Sequence, residues 1–209
     1  MAQYGLTLIT APTIEPVSLA EAHLQCGVAN DISYHDPKFS SLITAAREKV
    51  ETDTGRAIIT QTWDYTFDLL PCGLEAIYLP KNPVLSISSL KYYDTSNAQQ
   101  TLSTSYYMTL LDREPGEIRL KYQQQWPSLY GERGVVTVRF VCGYGSTPAS
   151  VPQSLKHAML LLISWWFEKR EAVVLGTISK NLEQSYEALI TKYITGDEFH
   201  SYSRSFEYA

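Results

Sequence analysis

Apolar residues recur every three to four positions in the first part of the chain, a pattern that predicts two amphipathic helices. The first helix begins at Ser18, whose spacing to Glu21 is that of a capping box, and ends at Gly27. The second begins at Asp36-Pro37, with the aspartate as N-cap and the proline at the first helical position, and ends at Gly55. The apolar face of the second helix comprises Phe39, Leu42, Ile43, Ala46 and Val50.

The hydrophobic period changes to two after residue 58, which indicates β-strands. In TWDYTFDL, residues 62–69, large apolar side chains alternate with threonine and aspartate, and the same alternation returns in EIRLKY and VVTVRFV. The segments between them are rich in β-branched and aromatic residues and are separated by prolines and glycines. We therefore expect an antiparallel sheet or small sandwich of about five to seven strands over residues 59–145.

The helical period returns after this region, with one helix predicted from Val151-Pro152 to about Arg170 and a last one up to Tyr193. Together the patterns predict an α+β fold. A helical domain of about four helices, formed by residues 1–58 and 146–194, is interrupted by the β insert at 59–145. Residues 195–209 carry no helical period and are expected to be a mobile C-terminal tail.

Composition and charge remove several classes of function. The 209 residues are 44% hydrophobic and 19% charged, with a net charge of −5 and no basic stripe that would grip DNA phosphates. The N-terminus shows no signal-peptide pattern. The apolar run from Ala158 to Phe167 is about half of a membrane span. Three scattered cysteines favour reduced thiols over a disulfide framework.

Motifs for catalysis or metal binding are not found, so we expect no enzymatic activity, no metal and no cofactor. His23 and Cys26 have helical i,i+3 spacing but lack a second ligand pair, and Asp64 and Asp68 share the polar, solvent-facing side of a strand. Two alternatives stay open. One is a carbohydrate- or protein-binding module that uses aromatic residues of the β insert, such as Tyr92-Tyr93 and Tyr106-Tyr107, and the other is an enzyme whose site assembles between subunits.

Four stretches in order resemble the head–tail connector (adaptor, or head-completion) proteins of long-tailed phages, in the longer variant with a β insert. They are SLAEAHLQC, LITAAREKVETDTGRAIITQTWDYTFD, GVVTVRFVCGYGS and VPQSLKHAMLLLISWWFEKREAVV. The resemblance covers roughly residues 16–194, and TGRAIITQTW and WWFEKREAVV are its most specific parts. It implies a structural virion protein, assembled in the host cytoplasm, that forms a homo-oligomeric ring, expected to be twelve-fold, on the portal protein. The ring would extend the channel through which double-stranded DNA passes without specific binding, and would present a platform for the next connector or the tail.

The resemblance also suggests where such a ring would be held together. Two adjacent tryptophans lie about 100° apart on a helix, so both are covered only if a second surface meets the helix. We expect one tryptophan to pack within its own subunit and the other to lie near the seam between subunits or beneath the β insert. The alternative is that the subunit itself covers both tryptophans. The subunit-interface candidates are Arg56, Trp165, Trp166, Glu168, Lys169, Arg170 and Glu171.

The tail carries too many aromatic residues for a plain solvated end. In a connector the available partners of such a tail are the portal and the adjacent subunit, and we favour the portal; the alternative is a tail folded back on its own helices. The portal-contact candidates are Phe199, Tyr202, Phe206 and Tyr208.

Overall fold

The computed structural model describes residues 5–29, 33–72, 75–169 and 180–195, and the structural statements below concern these ranges. The chain forms two compact units. A helical unit comprises residues 12–59 and 144–194, and a sheet unit contains residues 5–11 and 60–143. The α+β fold class predicted from the sequence is confirmed.

The helical unit contains four α-helices: α1 (Leu19–Gln25), α2 (Asp36–Thr54), α3 (Gln153–Glu168) and α4 (Lys180–Ile190). Short 3₁₀ turns occur at Ser33–His35, Pro148–Ser150 and Thr191–Tyr193. The apolar faces of the four helices meet in one core, to which each helix or its flanking segment contributes. Its most deeply buried large side chains include Val17, Phe39, Val50, Ile58, Ile59, Leu155, Met159 and Ile163.

The predicted capping box of α1 is confirmed. The amide of Glu21 donates to the Ser18 hydroxyl at 3.2 Å, and the Ser18 amide donates to the Glu21 carboxylate at 2.7 Å. Helix α2 ends as predicted at Gly55, which has the left-handed φ of 68°. Its start differs by one position, because a 3₁₀ turn leads directly into the helix, so that His35 is the N-cap and Asp36 is already helical.

A buried charge network fixes α2 within the helical unit. Arg47, 8% exposed, donates to Glu15 at 2.9 Å and to Glu51 at 3.0 Å. Glu51 is equally buried and also accepts a hydrogen bond of 2.8 Å from the amide of Ile58. The network therefore joins the segment before α1, the middle of α2 and the chain that leaves α2.

The sheet unit contains eight described strands in two antiparallel sheets. The larger has the order β1 (Gly5–Thr10), β2 (Gln61–Phe67), β8 (Val136–Cys142), β4 (Val84–Tyr93) and β5 (Gln99–Thr101). The smaller has the order β3 (Ile77–Tyr78), β7 (Glu117–Leu120) and β6 (Tyr107–Leu110). Strand β8 lies between β2 and β4, and its side chains alternate between buried and half-buried positions, as the sequence period of two predicts.

The structure differs from the sequence analysis at two places in this unit. Residues 5–10, which the sequence analysis assigned to the helical domain, form strand β1, because the backbone of GLTLIT pairs with β2. Asp64 does not face open solvent: its side chain is 16% exposed and binds Arg139 through two contacts of 2.7 Å. The cause is that Arg139 lies directly opposite Asp64 on the neighbouring strand β8.

Candidate functional site: a groove at the end of the third helix

The two adjacent tryptophans of α3 are both half-buried in the single chain, and their surroundings differ. Trp166 packs against the core of the helical unit, next to buried residues of α3 such as Leu162 and Ile163. Trp165 lies one position back on the helix, about 100° away around the axis, and lines a groove together with Trp166. Trp166 therefore contacts both the core and the groove, whereas the described contacts of Trp165 are with the groove.

This groove has a volume of about 400 Å³ and lies among α2, α3 and α4, all within the helical unit. Most of its wall is apolar, and its polar members come from α2 and α4. The apolar lining residues are Leu162, Trp165, Trp166, Leu182, Ile190 and Ile194. The polar ones are Lys49, Asp53, Glu183, Tyr186 and Glu187.

One wall of the groove is held by a hydrogen-bonded triad. The Tyr186 hydroxyl of α4 donates to Asp53 of α2 at 2.6 Å, and the Lys49 ammonium contacts both oxygens of the same carboxylate at 2.6 and 2.7 Å. Burial, followed by the hydrogen bond to the Asp53 carboxylate, raises the pKa of Tyr186 far above its ordinary value. The hydrogen bond between Tyr186 and Asp53 joins α4 to α2 at this wall, while the Lys49–Asp53 pair lies within α2.

Phe167, the next residue of α3, packs within the helical unit. Its ring stacks on the fully buried Phe39 with a centroid distance of 4.6 Å, and it meets the His35 ring edge-on at 5.5 Å. The Lys38 ammonium lies 5.1 Å from the Phe167 centroid. These contacts anchor the last turn of α3, so that Trp165 is presented on a fixed helix end.

The charged end of α3 is only partly described. Glu168 and Lys169 are exposed, and the Lys169 amide closes the helix by donating to the Trp165 carbonyl at 3.0 Å. Arg170 and Glu171, which complete the predicted interface cluster, lie outside the described residues. So do all four predicted portal-contact residues of the tail, Phe199, Tyr202, Phe206 and Tyr208.

Arg56 has its described partners within the helical unit. It is 6% exposed, and its Nε donates to the Tyr193 carbonyl at 2.5 Å while Nη1 donates to the Tyr144 hydroxyl at 3.1 Å. The guanidinium also lies 5.8 Å from the Tyr193 ring centroid. These contacts connect the exit of α2 to the end of the helical unit, and such burial does not support a place for Arg56 at a subunit seam.

The described residues contain no cluster of three or more His, Cys, Asp or Glu side chains arranged to hold a metal ion. His23 and Cys26 lie on α1, where His23 is 3% exposed and its Nε2 lies 3.1 Å from the Asp36 carboxylate. Within the same ranges, every helix is too short or too polar to cross a bilayer. Within the described ranges, the groove at the end of α3 combines apolar walls with charged residues, a composition that suits contact with another macromolecule.

Comparison with known proteins gives matches of structure only. The chain matches no protein-family model and no curated protein sequence. It is similar to a chain in the neck of an empty gene transfer agent (GTA) particle computed with C6 symmetry, with a TM-score of 0.75 and 20% identity over 92% of this chain and 96% of the other. A chain of the native GTA virion matches with a TM-score of 0.73 and 20% identity over 91% and 95% of the two chains. A chain from the neck of a native GTA particle computed with C12 symmetry matches with a TM-score of 0.68 and 20% identity over 92% of this chain and 96% of the other. The chain therefore shares its fold, over nearly its whole length, with neck proteins of gene transfer agent particles.

Proposed function

We propose that this chain is a structural virion protein of the neck, a head–tail connector (adaptor) without catalytic activity. The observation that carries the proposal is the fold likeness over 92% of this chain and 96% of the GTA neck chain. A match this complete includes the helical unit and the sheet unit together, whereas a common single domain would cover only one of them. The sequence resemblance to phage connectors supports the same function from independent features.

The connector is proposed to act as a homo-oligomeric, twelve-fold ring. Chains of this fold occur in neck assemblies computed with C6 and C12 symmetry, which supports a closed cyclic arrangement. A cyclic ring uses two different surfaces of each copy at every seam. We place the groove lined by Trp165 and Trp166, with Glu168 and Lys169 beside it, on one side of that seam.

The proposed partners of the ring are the portal protein on one side and the next connector or the tail on the other. Double-stranded DNA would pass through the lumen without specific binding. The net charge of −5 supports such a conduit, because carboxylates repel phosphates over a Debye length of about 8 Å while a basic lining would hold them. The ring would be part of the virion at the head–tail interface, after assembly in the host cytoplasm.

Electron microscopy of the full-length protein with and without purified portal rings tests this function. We expect an added ring of density on the portal and a mass increase equal to twelve copies. The Trp165→Ala variant is expected to weaken this binding, whereas Leu24→Ala, which truncates an 80% exposed leucine of the same unit, serves as the matched control. A folded protein that stays monomeric and leaves portal rings unchanged would contradict the proposal.

A further inference from the structure

Strand β1, Gly5–Thr10, forms an edge of the larger sheet as far as the sheet is described. Nearly all of its residues are exposed, and the large apolar side chains Leu8 and Ile9 are each 43% exposed. The strand has a register irregularity between Leu8 and Thr10, but it has no charged residue and no proline, which are two of the devices with which proteins protect sheet edges from pairing with other chains. An edge of this kind is a site for the addition of another strand.

The two faces of the sheet beside this edge differ in chemistry. On one face Leu6 and Leu8 of β1 lie opposite Tyr65 and Trp63 of β2, which makes an aromatic and aliphatic surface. On the other face Thr7 lies opposite Asp64. A strand that fits this edge therefore has bulky side chains at alternate positions and small polar ones between them.

One segment of the chain has this pattern. Residues 196–209 lie outside the described ranges. From 200 to 208, bulky side chains occupy the even positions: His200, Tyr202, Arg204, Phe206 and Tyr208. The odd positions are Ser201, Ser203, Ser205 and Glu207. We propose that this segment of an adjacent copy adds to β1 as a further strand, with its aromatic residues on the Leu6 and Leu8 face.

An adjacent copy is the proposed donor because Leu8 and Ile9 stay 43% exposed in the single chain, which leaves this edge open to a second chain. The nine residues of the segment are enough to span the six residues of β1. The inference rests on the proposed ring, in which each copy gives its tail to one neighbour and receives one from the other. The tail would then bind the adjacent copy and not the portal, which was the partner favoured from the sequence.

Disulfide trapping between two populations of full-length protein tests the inference. Both carry Cys72→Ser, which removes an exposed thiol. One also carries Thr7→Cys, and the other carries Ser201→Cys, Ser203→Cys or Ser205→Cys. After mixing and mild oxidation, a covalent pair of about twice 23.6 kDa is expected for at least one serine position and for neither population alone.

Paired lysine variants make this test specific to the edge. Ile9→Lys places a charge at the register shift between Leu8 and Thr10 of β1 and is expected to lower the yield of the covalent pair at least tenfold. Leu85→Lys is the matched control, since Leu85 is 47% exposed and also lies at an irregularity, but in the internal strand β4. Its yield is expected to stay within about twofold of the parent.

The outcomes separate this inference from the proposed function. Trapping between copies that Ile9→Lys abolishes supports strand addition. Portal-bound rings that form without any trapped pair overturn strand addition and leave the connector function standing. A third protein carries Thr7→Cys and a tail cysteine in the same chain, and cross-linking found only within that single chain also overturns strand addition between copies. Because trapping needs only two copies, it reports on the β1 edge even when no complete ring forms.

Discussion

Replacement of Arg47 by Met tests whether the buried charge network stabilises the helical unit. Methionine keeps an apolar stem in place of the arginine side chain, so that the main loss is the positive charge between Glu15 and Glu51. Removing one partner of a buried ion pair costs about 3–5 kcal/mol. We expect about 3 kcal/mol, at the lower end of that range, because Glu15 is 31% exposed and water can solvate it, while the Ile58 amide still donates to Glu51.

Chemical unfolding followed by far-ultraviolet circular dichroism measures this free energy. Lys49→Met is the matched control on the same helix, because Lys49 pairs with Asp53 at i,i+4 spacing but its side chain is 51% exposed. An exposed pair of this kind contributes about 0.5 kcal/mol. The double variant Arg47→Met/Glu51→Gln is expected to regain about 1–2 kcal/mol relative to Arg47→Met, since the glutamine carbonyl accepts from Ile58 without a buried charge.

Two results would refute this reasoning. An Arg47→Met protein as stable as the Lys49→Met control would show that water reaches the network and that the buried charges need no compensation. A double variant no more stable than Arg47→Met would show that the loss comes from packing and not from the charge left on Glu51.

Three further predictions concern the groove and its supports. Trp166→Ala is expected to lower the free energy of unfolding by about 3 kcal/mol and Trp165→Ala by about 1 kcal/mol, with ring assembly weakened by Trp165→Ala. Equal destabilisation of the two variants in urea titrations would contradict the difference in packing. Tyr186 is expected to stay protonated at alkaline pH until the protein unfolds, because burial and the Asp53 carboxylate raise its pKa above the ordinary 10.0. In an ultraviolet titration, Tyr186→Phe is therefore expected to have as many tyrosines that ionise before unfolding as the parent protein has. Burial raises the pKa of Glu21, but hydrogen bonds from Lys156 and Ser18 outweigh burial and hold the pKa below the ordinary 4.5. The contribution of Glu21 to stability is therefore present above pH 4.5 and is lost as the pH falls through the folded pKa. Melting of Glu21→Gln against pH is expected to show a loss of no more than about 1 kcal/mol at neutral pH, because the side chain is 41% exposed, and a smaller loss in acid.

The sequence predicted those parts of the fold that depend on local patterns. The Ser18 capping box and the Gly55 helix end were placed correctly because each is decided by residues within one or two turns. The alternation in β2 and β8 was sufficient to predict an antiparallel sheet. The resemblance to connectors, carried by four stretches in order, is confirmed at the level of the fold.

The sequence did not predict which distant residues meet. Tyr186 and Asp53 are separated by 133 positions, and Arg56 and Tyr193 by 137, so no spacing rule connects them. Strand β1 was missed for a related reason, because GLTLIT is short and its partner β2 begins only at Gln61. The groove is a product of such contacts, since it exists only once α4 has packed against α2 and α3.

The groove and the β1 edge are each small, and a ring makes small contacts sufficient. The groove belongs to the helical unit and β1 to the sheet unit, so each seam is proposed to be held at two separate places. Once one contact forms, the other becomes intramolecular, and the effective concentration of its partner rises to about the millimolar range. A copy inside a closed ring also has two seams and leaves only when both break. Modest apolar areas at a tryptophan-lined groove and an edge strand can therefore hold a stable ring.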